Sequence, residues 1–227
     1  PEPETLRDDY KNRLSPAATQ AMTVKNHLSA NDLKLRAPGN LTPEQKAKWN
    51  AAYDPKNKAF EEANLEGDEL LKWKYQRYVK DYLRCIDSVD ENVGRILDYL
   101  DKSGLAENTV VIYSSDQGWY LGEHGWYDKR WMFEESFKMP FAIRWPGVTE
   151  PGSRPKEMIQ NIDYAPTFLE AAGVAIPPEI QGNSILPTLQ GNAKGWRKSL
   201  YYSYYEKGEH NVPQHFGVRT ETHKLFY

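Results

Sequence analysis

The stretch Thr109-Val110-Val111-Ile112-Tyr113-Ser114-Ser115-Asp116-Gln117-Gly118 decides the fold. Its first five residues form an unbroken β-branched and aromatic run. Such a run predicts a strand covered on both faces, as in a parallel sheet flanked by helices. Its last five residues are polar and turn-forming, so the strand stops there. In α/β sheets, functional groups gather beyond the carboxyl ends of the strands. Asp116 and Gln117 fall at that position.

Upstream of the run, Leu71, Tyr75, Tyr78, Val79, Tyr82, Ile86, Val89, Val93, Ile96, Leu97 and Leu100 recur mostly at three- and four-residue steps. This spacing predicts one apolar stripe along a long helix, with Asp68 as N-cap and Lys102-x-Gly104 as its end. Cys85 lies within that helix beside Ile86, which predicts a packed thiol. Downstream, Phe141 to Trp145 reads as a second strand, stopped by Pro146-Gly147. Asp163 precedes a short helix ending near Gly173, and its side chain is expected to cap that helix. Leu200–Tyr205, Phe216–Arg219 and Lys224–Tyr227 read as strands of a small antiparallel sheet.

Residues 1–66 are polar and interrupted by Pro16, Pro38, Pro43 and Pro55. They predict loops and short helices packed on the main domain, with Thr42 a cap and Pro43 a first helical residue. Residues 67–175 then form the α/β part, and residues 176–227 a small C-terminal α+β subdomain. The fold class expected is therefore α/β, a sheet flanked by helices, with a small antiparallel sheet attached.

Composition narrows the function. The 227 residues carry a net charge of -3 from 29 basic and 32 acidic side chains. That balance gives no electrostatic reason to expect nucleic acid or an anionic membrane as partner. No apolar run approaches the roughly 20 residues that span a bilayer. One cysteine cannot form an internal disulfide and leaves the compartment undecided. The chain opens on Pro1-Glu2-Pro3-Glu4 and closes inside a strand, so a truncated or processed chain is expected. Aromatic residues reach 13%, with 7 Trp and 15 Tyr. Such richness suits core packing and also the stacking of sugars.

Several residues could carry chemistry. Asp116 and Gln117 offer a carboxylate and an amide oxygen side by side, donors that a hard cation such as calcium prefers. They equally suit an ordinary strand-to-loop turn, and two donors are too few for a complete site. Trp119 can stack on a sugar ring or simply pack. His124 is expected to make a structural hydrogen bond. His210 and His215 sit in a polar, aromatic loop beside the C-terminal strands, and Lys129 taken alone is a surface charge.

The order of these features resembles the sulfatase family. Ser115-Asp116-Gln117-Gly118 is followed by Leu121-Gly122-Glu123-His124-Gly125, then Lys129, Met139-Pro140-Phe141 and Trp145-Pro146-Gly147. Asp163-Tyr164-Ala165-Pro166-Thr167 before Ala172-Gly173-Val174 continues the resemblance, which covers most of residues 68–227. It implies an alkaline phosphatase-like fold and hydrolysis of sulfate esters. Asp116 and Gln117 match calcium ligands, with Gln117 standing where Asn or His is commoner. Lys129 matches the lysine that contacts sulfate, Trp119 a position that lines the substrate pocket, and the His210 and His215 loop a region that contacts sugar. The resemblance points to sulfated sugars of glycosaminoglycan or mucin type, including those of glucosamine-6-sulfatases. It also points to a periplasmic, extracellular or, in a eukaryote, lysosomal site of action.

The resemblance further implies a formylglycine nucleophile, made from the Cys or Ser of a Cys/Ser-x-Pro-x-Arg motif. Neither Cys85 nor Ser15-Pro16 nor Ser153-Arg154-Pro155 fits that pattern. The nucleophile and the paired aspartates completing the metal site are expected outside these residues, and the chain alone is expected to be inactive. Two rivals stand beside this reading. One is a phosphatase or phosphonate hydrolase of the same superfamily, and the other a non-catalytic glycan-binding fragment.

Overall fold

A computed structural model of the chain describes residues 1–10, 15–207 and 212–227. In chain order its helices are α1 (Ser15–Ala18), α2 (Pro43–Ala63), α3 (Gly67–Lys102), α4 (Glu134–Phe137), α5 (Tyr164–Ala171) and α6 (Leu186–Leu189). Its strands are β1 (Val111–Ser114), β2 (Tyr120–Leu121), β3 (Tyr127–Asp128), β4 (Phe141–Arg144), β5 (Ser199–Tyr204), β6 (His215–Thr220) and β7 (Lys224–Phe226). The described chain divides into two compact units. One comprises residues 1–94 and 119–129, the other residues 95–118 and 130–227.

In the first unit, Leu6, Val24, Leu28, Leu33, Leu71 and Tyr75 form a buried apolar cluster, with Trp73, Tyr78, Val79 and Tyr127 against it. Helix α3 supplies this side of the cluster from the stripe that its sequence predicts. The helix begins one residue before Asp68, whose carboxylate binds Arg7 instead of capping. It ends as expected, with Gly104 at φ +72 and the Leu105 N–H returning to the Leu100 carbonyl. Helix α2 is longer than the expected short pieces. Thr42 and Gln45 close a capping box around Pro43, and 21 residues follow despite Pro55 inside. An interior proline costs a helix about 3 kcal/mol, so contacts with α3 must hold it. Phe60 stacks on Trp73, the Tyr53 hydroxyl donates to the buried Asp81, and Arg77 reaches Asn57.

In the second unit, β1 and β4 pair antiparallel, with Val111 opposite Arg144 and Ser114 opposite Phe141. The strand is where the sequence places it, but its one partner among the described residues is antiparallel, not parallel. Tyr113 stands 44% exposed, so cover on both faces is also not found among the described residues. An apolar run reports how much cover a strand can use, and it carries no record of strand direction. The small C-terminal sheet is antiparallel as expected, in the order β5-β6-β7.

Two further residues differ from their expected roles. Cys85 is exposed, because the part of α3 that carries it has no cover among the described residues. Asp163 is fully buried but gives α5 no side-chain cap. Its oxygens instead accept the Gln160 N–H at 2.7 Å, the Asn183 N–H at 2.9 Å and both ends of the Arg197 guanidinium.

Candidate functional site

The strand end carrying Asp116 and Gln117 belongs to the second unit and is tied down on three sides. The Ser114 hydroxyl donates to the Pro140 carbonyl at 3.0 Å and lies 2.8 Å from the Tyr164 hydroxyl. Gly118 donates its N–H to the Ser136 carbonyl at 2.9 Å, and a methyl at Gly118 would fall 2.1 Å from the Glu135 carbonyl oxygen. Only glycine lets the two backbones approach that closely. The Asp116 side chain is exposed, and Gln117 is half-buried. One carboxylate and one amide oxygen on a pinned strand end fit calcium as part of a ligand set, since calcium takes six to eight oxygens. No cluster of three or more His, Cys, Asp or Glu suited to a metal occurs among the described residues.

Lys129 and Trp119 are brought together in the first unit. The short hairpin β2–β3 sets Tyr120 opposite Asp128 and Leu121 opposite Tyr127. Its turn closes on Gly122, at φ +104, where a methyl would meet the Tyr75 ring at 2.6 Å. Residues 22–24 run beside it, through the Val24 N–H to the Gly125 carbonyl and the Tyr127 N–H to the Met22 carbonyl. Tyr120 and Trp126 beneath are wholly buried. The hairpin therefore presents Lys129 from a fixed base. Asp128 and Arg130, on either side of it, have φ of +75 and +98. Non-glycine residues in that region cost about 1–3 kcal/mol each and gather at functional positions.

The Lys129 ammonium lies over the Trp119 ring, 5.1 Å from its centroid. The Trp119 indole N–H donates to the Tyr78 hydroxyl at 2.8 Å. With its N–H committed, Trp119 has only a ring face to offer a sugar. Tyr78 is the residue that sequence reasoning missed. Its place in the apolar stripe of α3 marks it as core, and nothing in the spacing tells its hydroxyl from a phenylalanine hydrogen. Burial raises its phenol to about 12, against the lowering pull of the Trp119 N–H.

His215, in the second unit, is only 4% exposed. It stacks between Trp131 at 5.0 Å and Tyr204 at 5.3 Å, and its Nδ1 is 2.9 Å from the Pro213 carbonyl. Burial lowers its pKa below the ordinary histidine value, so the ring is neutral at pH 7. His210 lies outside the described residues. The His124 backbone N–H donates to the Thr5 hydroxyl at 2.8 Å, its backbone carbonyl accepts from the Tyr10 hydroxyl, and its ring Nδ1 lies 3.7 Å from the Asp8 carboxylate.

The glycine-anchored strand end and the hairpin that follows it belong to an alkaline phosphatase-like fold. The chain belongs to the sulfatase family, whose model, described as Sulfatase, matches residues 8–174. A second model, described as N-sulphoglucosamine sulphohydrolase, C-terminal, matches residues 122–227. Among relatives, an N-acetylglucosamine-6-O-sulfatase of Bacteroides thetaiotaomicron is 42% identical over 247 residues, covering 100% of this chain and 44% of that protein. The human N-acetylglucosamine-6-sulfatase is 26% identical, covering 88% of this chain and 37% of its own length. A solved structure described as a complex with its substrate D-glucosamine-2-N,6-O-disulfate superposes with a TM-score of 0.95 at 42% identity. It matches 100% of this chain and 50% of that one. A phosphonate monoester hydrolase from Silicibacter pomeroyi, at 23% identity and a TM-score of 0.58 over 73% of this chain and 35% of its own, shares the fold alone. The chain thus spans about half or less of the relatives it matches.

Proposed function

We propose that this chain is the part of a calcium-dependent sulfatase that supplies one lysine and two metal-binding oxygens for hydrolysing sulfate esters on sulfated sugars. Similarity along the whole chain to an N-acetylglucosamine-6-O-sulfatase supports a 6-sulfated glucosamine as substrate, within the glycosaminoglycan or mucin class. The observation that carries the reading is the Lys129 ammonium. It is held over an aromatic face, and no carboxylate neutralises it among the described residues. A positive charge so placed can bind a sulfate oxygen and stabilise the negative charge that grows on it as the ester bond breaks. Asp116 and Gln117 would hold calcium, which when bound supplies positive charge of its own.

Trp119 offers a ring face for stacking on the sugar. His215 can add at most one polar contact, given its burial, and His210 belongs to the same loop by sequence. The nucleophile is a formylglycine from a motif outside these residues. Among the described residues no helix is long and apolar enough to cross a membrane. Action on extracellular glycans would place the enzyme in a periplasm, outside the cell or in a lysosome.

The test is turnover of N-acetylglucosamine-6-sulfate by the full-length protein. Lys129→Ala is expected to lower kcat about a hundredfold or more. Chelation of calcium is expected to abolish activity, with recovery on adding it back. This chain alone is expected to release no sulfate. Turnover by the purified chain alone, or full activity in Lys129→Ala, sinks the reading. Preferential cleavage of phosphonate monoesters would favour the hydrolase rival. Sugar binding that persists without calcium and in Asp116→Ala, with no turnover, would favour a binding module.

A further inference from the structure

An ammonium on a four-carbon stem is mobile, and side-chain freedom of about 2 kcal/mol must be given up to hold it in one place. A carboxylate partner could fix it, but that partner would also neutralise it and compete with an incoming anion. An aromatic face attracts the cation through its quadrupole and leaves the positive charge unspent. Lys129 is held in this second way, over Trp119. The arrangement works only if the indole plane is itself fixed, and Trp119 follows Gly118 directly in the chain.

The first unit contains the fixing contact. The Trp119 indole N–H donates to the Tyr78 hydroxyl at 2.8 Å, across 41 residues of sequence. Tyr78 is braced in turn. It lies on α3 against the buried apolar cluster, and the Tyr127 ring meets it edge-on at 5.9 Å. The Tyr127 hydroxyl donates to the His27 carbonyl at 3.0 Å, so this brace is anchored too. Because the phenol titrates only near pH 12, it remains a neutral acceptor across the working range.

We propose that Tyr78 is a positioning residue for Lys129, acting through Trp119: its hydroxyl sets the indole plane, and that plane sets the ammonium. The inference rests on the assignment of Lys129 to the sulfate. It explains why the apolar stripe of α3 carries a tyrosine at this place, where phenylalanine would pack as well.

The experiment is a double-mutant cycle in the full-length sulfatase with N-acetylglucosamine-6-sulfate, each variant first checked for an unchanged far-UV circular dichroism spectrum. Tyr78→Phe is expected to lower kcat about tenfold, because small displacements of a group acting on the transition state are costly. KM is expected to stay within about twofold, since the interaction matters most as charge develops. In a Lys129→Ala background, Tyr78→Phe is expected to change kcat by less than about twofold, with no ammonium left to position. An equal loss in both backgrounds means a merely structural tyrosine and overturns the proposal. So does a silent Tyr78→Phe beside a crippled Lys129→Ala, while a silent Lys129→Ala removes the underlying assignment itself. Should Tyr78→Phe not fold, Tyr127→Phe frees the ring that braces Tyr78 from the His27 carbonyl. It is expected to lower kcat severalfold with Lys129 present and by less than about twofold without it, and equal losses in both backgrounds again overturn the proposal.

Discussion

Gly118 separates the two oxygen donors from the tryptophan that carries the lysine. A side chain there would press on the Glu135 carbonyl at 2.1 Å, and backbone cannot yield as a flexible side chain can. Gly118→Ala is therefore expected to lower stability by about 1–3 kcal/mol, the usual cost of overpacking, read as a shifted urea midpoint. A midpoint equal to that of the parent chain would mean that the strand end is looser than the structure describes. The residues at this strand end were legible in the sequence because a polar cluster closing an apolar run marks a place in a sheet. Tyr78 was not, because its partner lies 41 residues away and periodicity reports only which side of a helix is apolar.

At the scale of elements, legibility followed the strength of the pattern. Helix α3 and strands β5, β6 and β7 were placed within a few residues by their spacing alone. Helix α2 escaped beyond its first turn. Its few apolar residues, Trp49, Tyr53 and Phe60, make no continuous stripe, Pro55 interrupts them, and its hold on α3 is made by pairs that sequence cannot foresee. The segment around α5 shows the same limit. A cap was the local expectation for Asp163, whereas Arg197, 34 residues on, decides where its carboxylate turns. Removing one partner of a buried ion pair leaves the other uncompensated, at a cost of about 3–5 kcal/mol. Arg197→Leu is thus expected to unfold at markedly lower urea than the parent chain. Replacing both Asp163 and Arg197 by apolar residues should cost less than Arg197→Leu alone. An Arg197→Leu chain of parental stability would show that the pair is not needed.

At the scale of the whole molecule, the outstanding feature is apolar surface left open. Leu83, Ile86 and Val89 on α3 are 44–50% exposed, and Tyr201 and Leu225 on the C-terminal sheet are 61% exposed. Large apolar side chains left open on one helix face favour binding or aggregation. The purified chain is expected to enhance the fluorescence of the dye ANS severalfold, as exposed apolar surface does. The triple variant Leu83→Gln, Ile86→Gln, Val89→Gln should remove much of that signal. Dye binding that is absent from the start would mean that this surface is covered in solution.

The Asp163–Arg197 pair also has a consequence in time. Protein synthesis proceeds at about 5–20 residues per second, so roughly two to seven seconds separate the making of the carboxylate from the making of its counter-ion. During that interval closing the segment 160–167 is disfavoured, because it would bury a charge without its partner. The pace of translation over the span that delivers Arg197 therefore bears on how long a newborn chain keeps this region open. Codon choice there becomes a physical variable of the protein's biogenesis, acting without any change of residue.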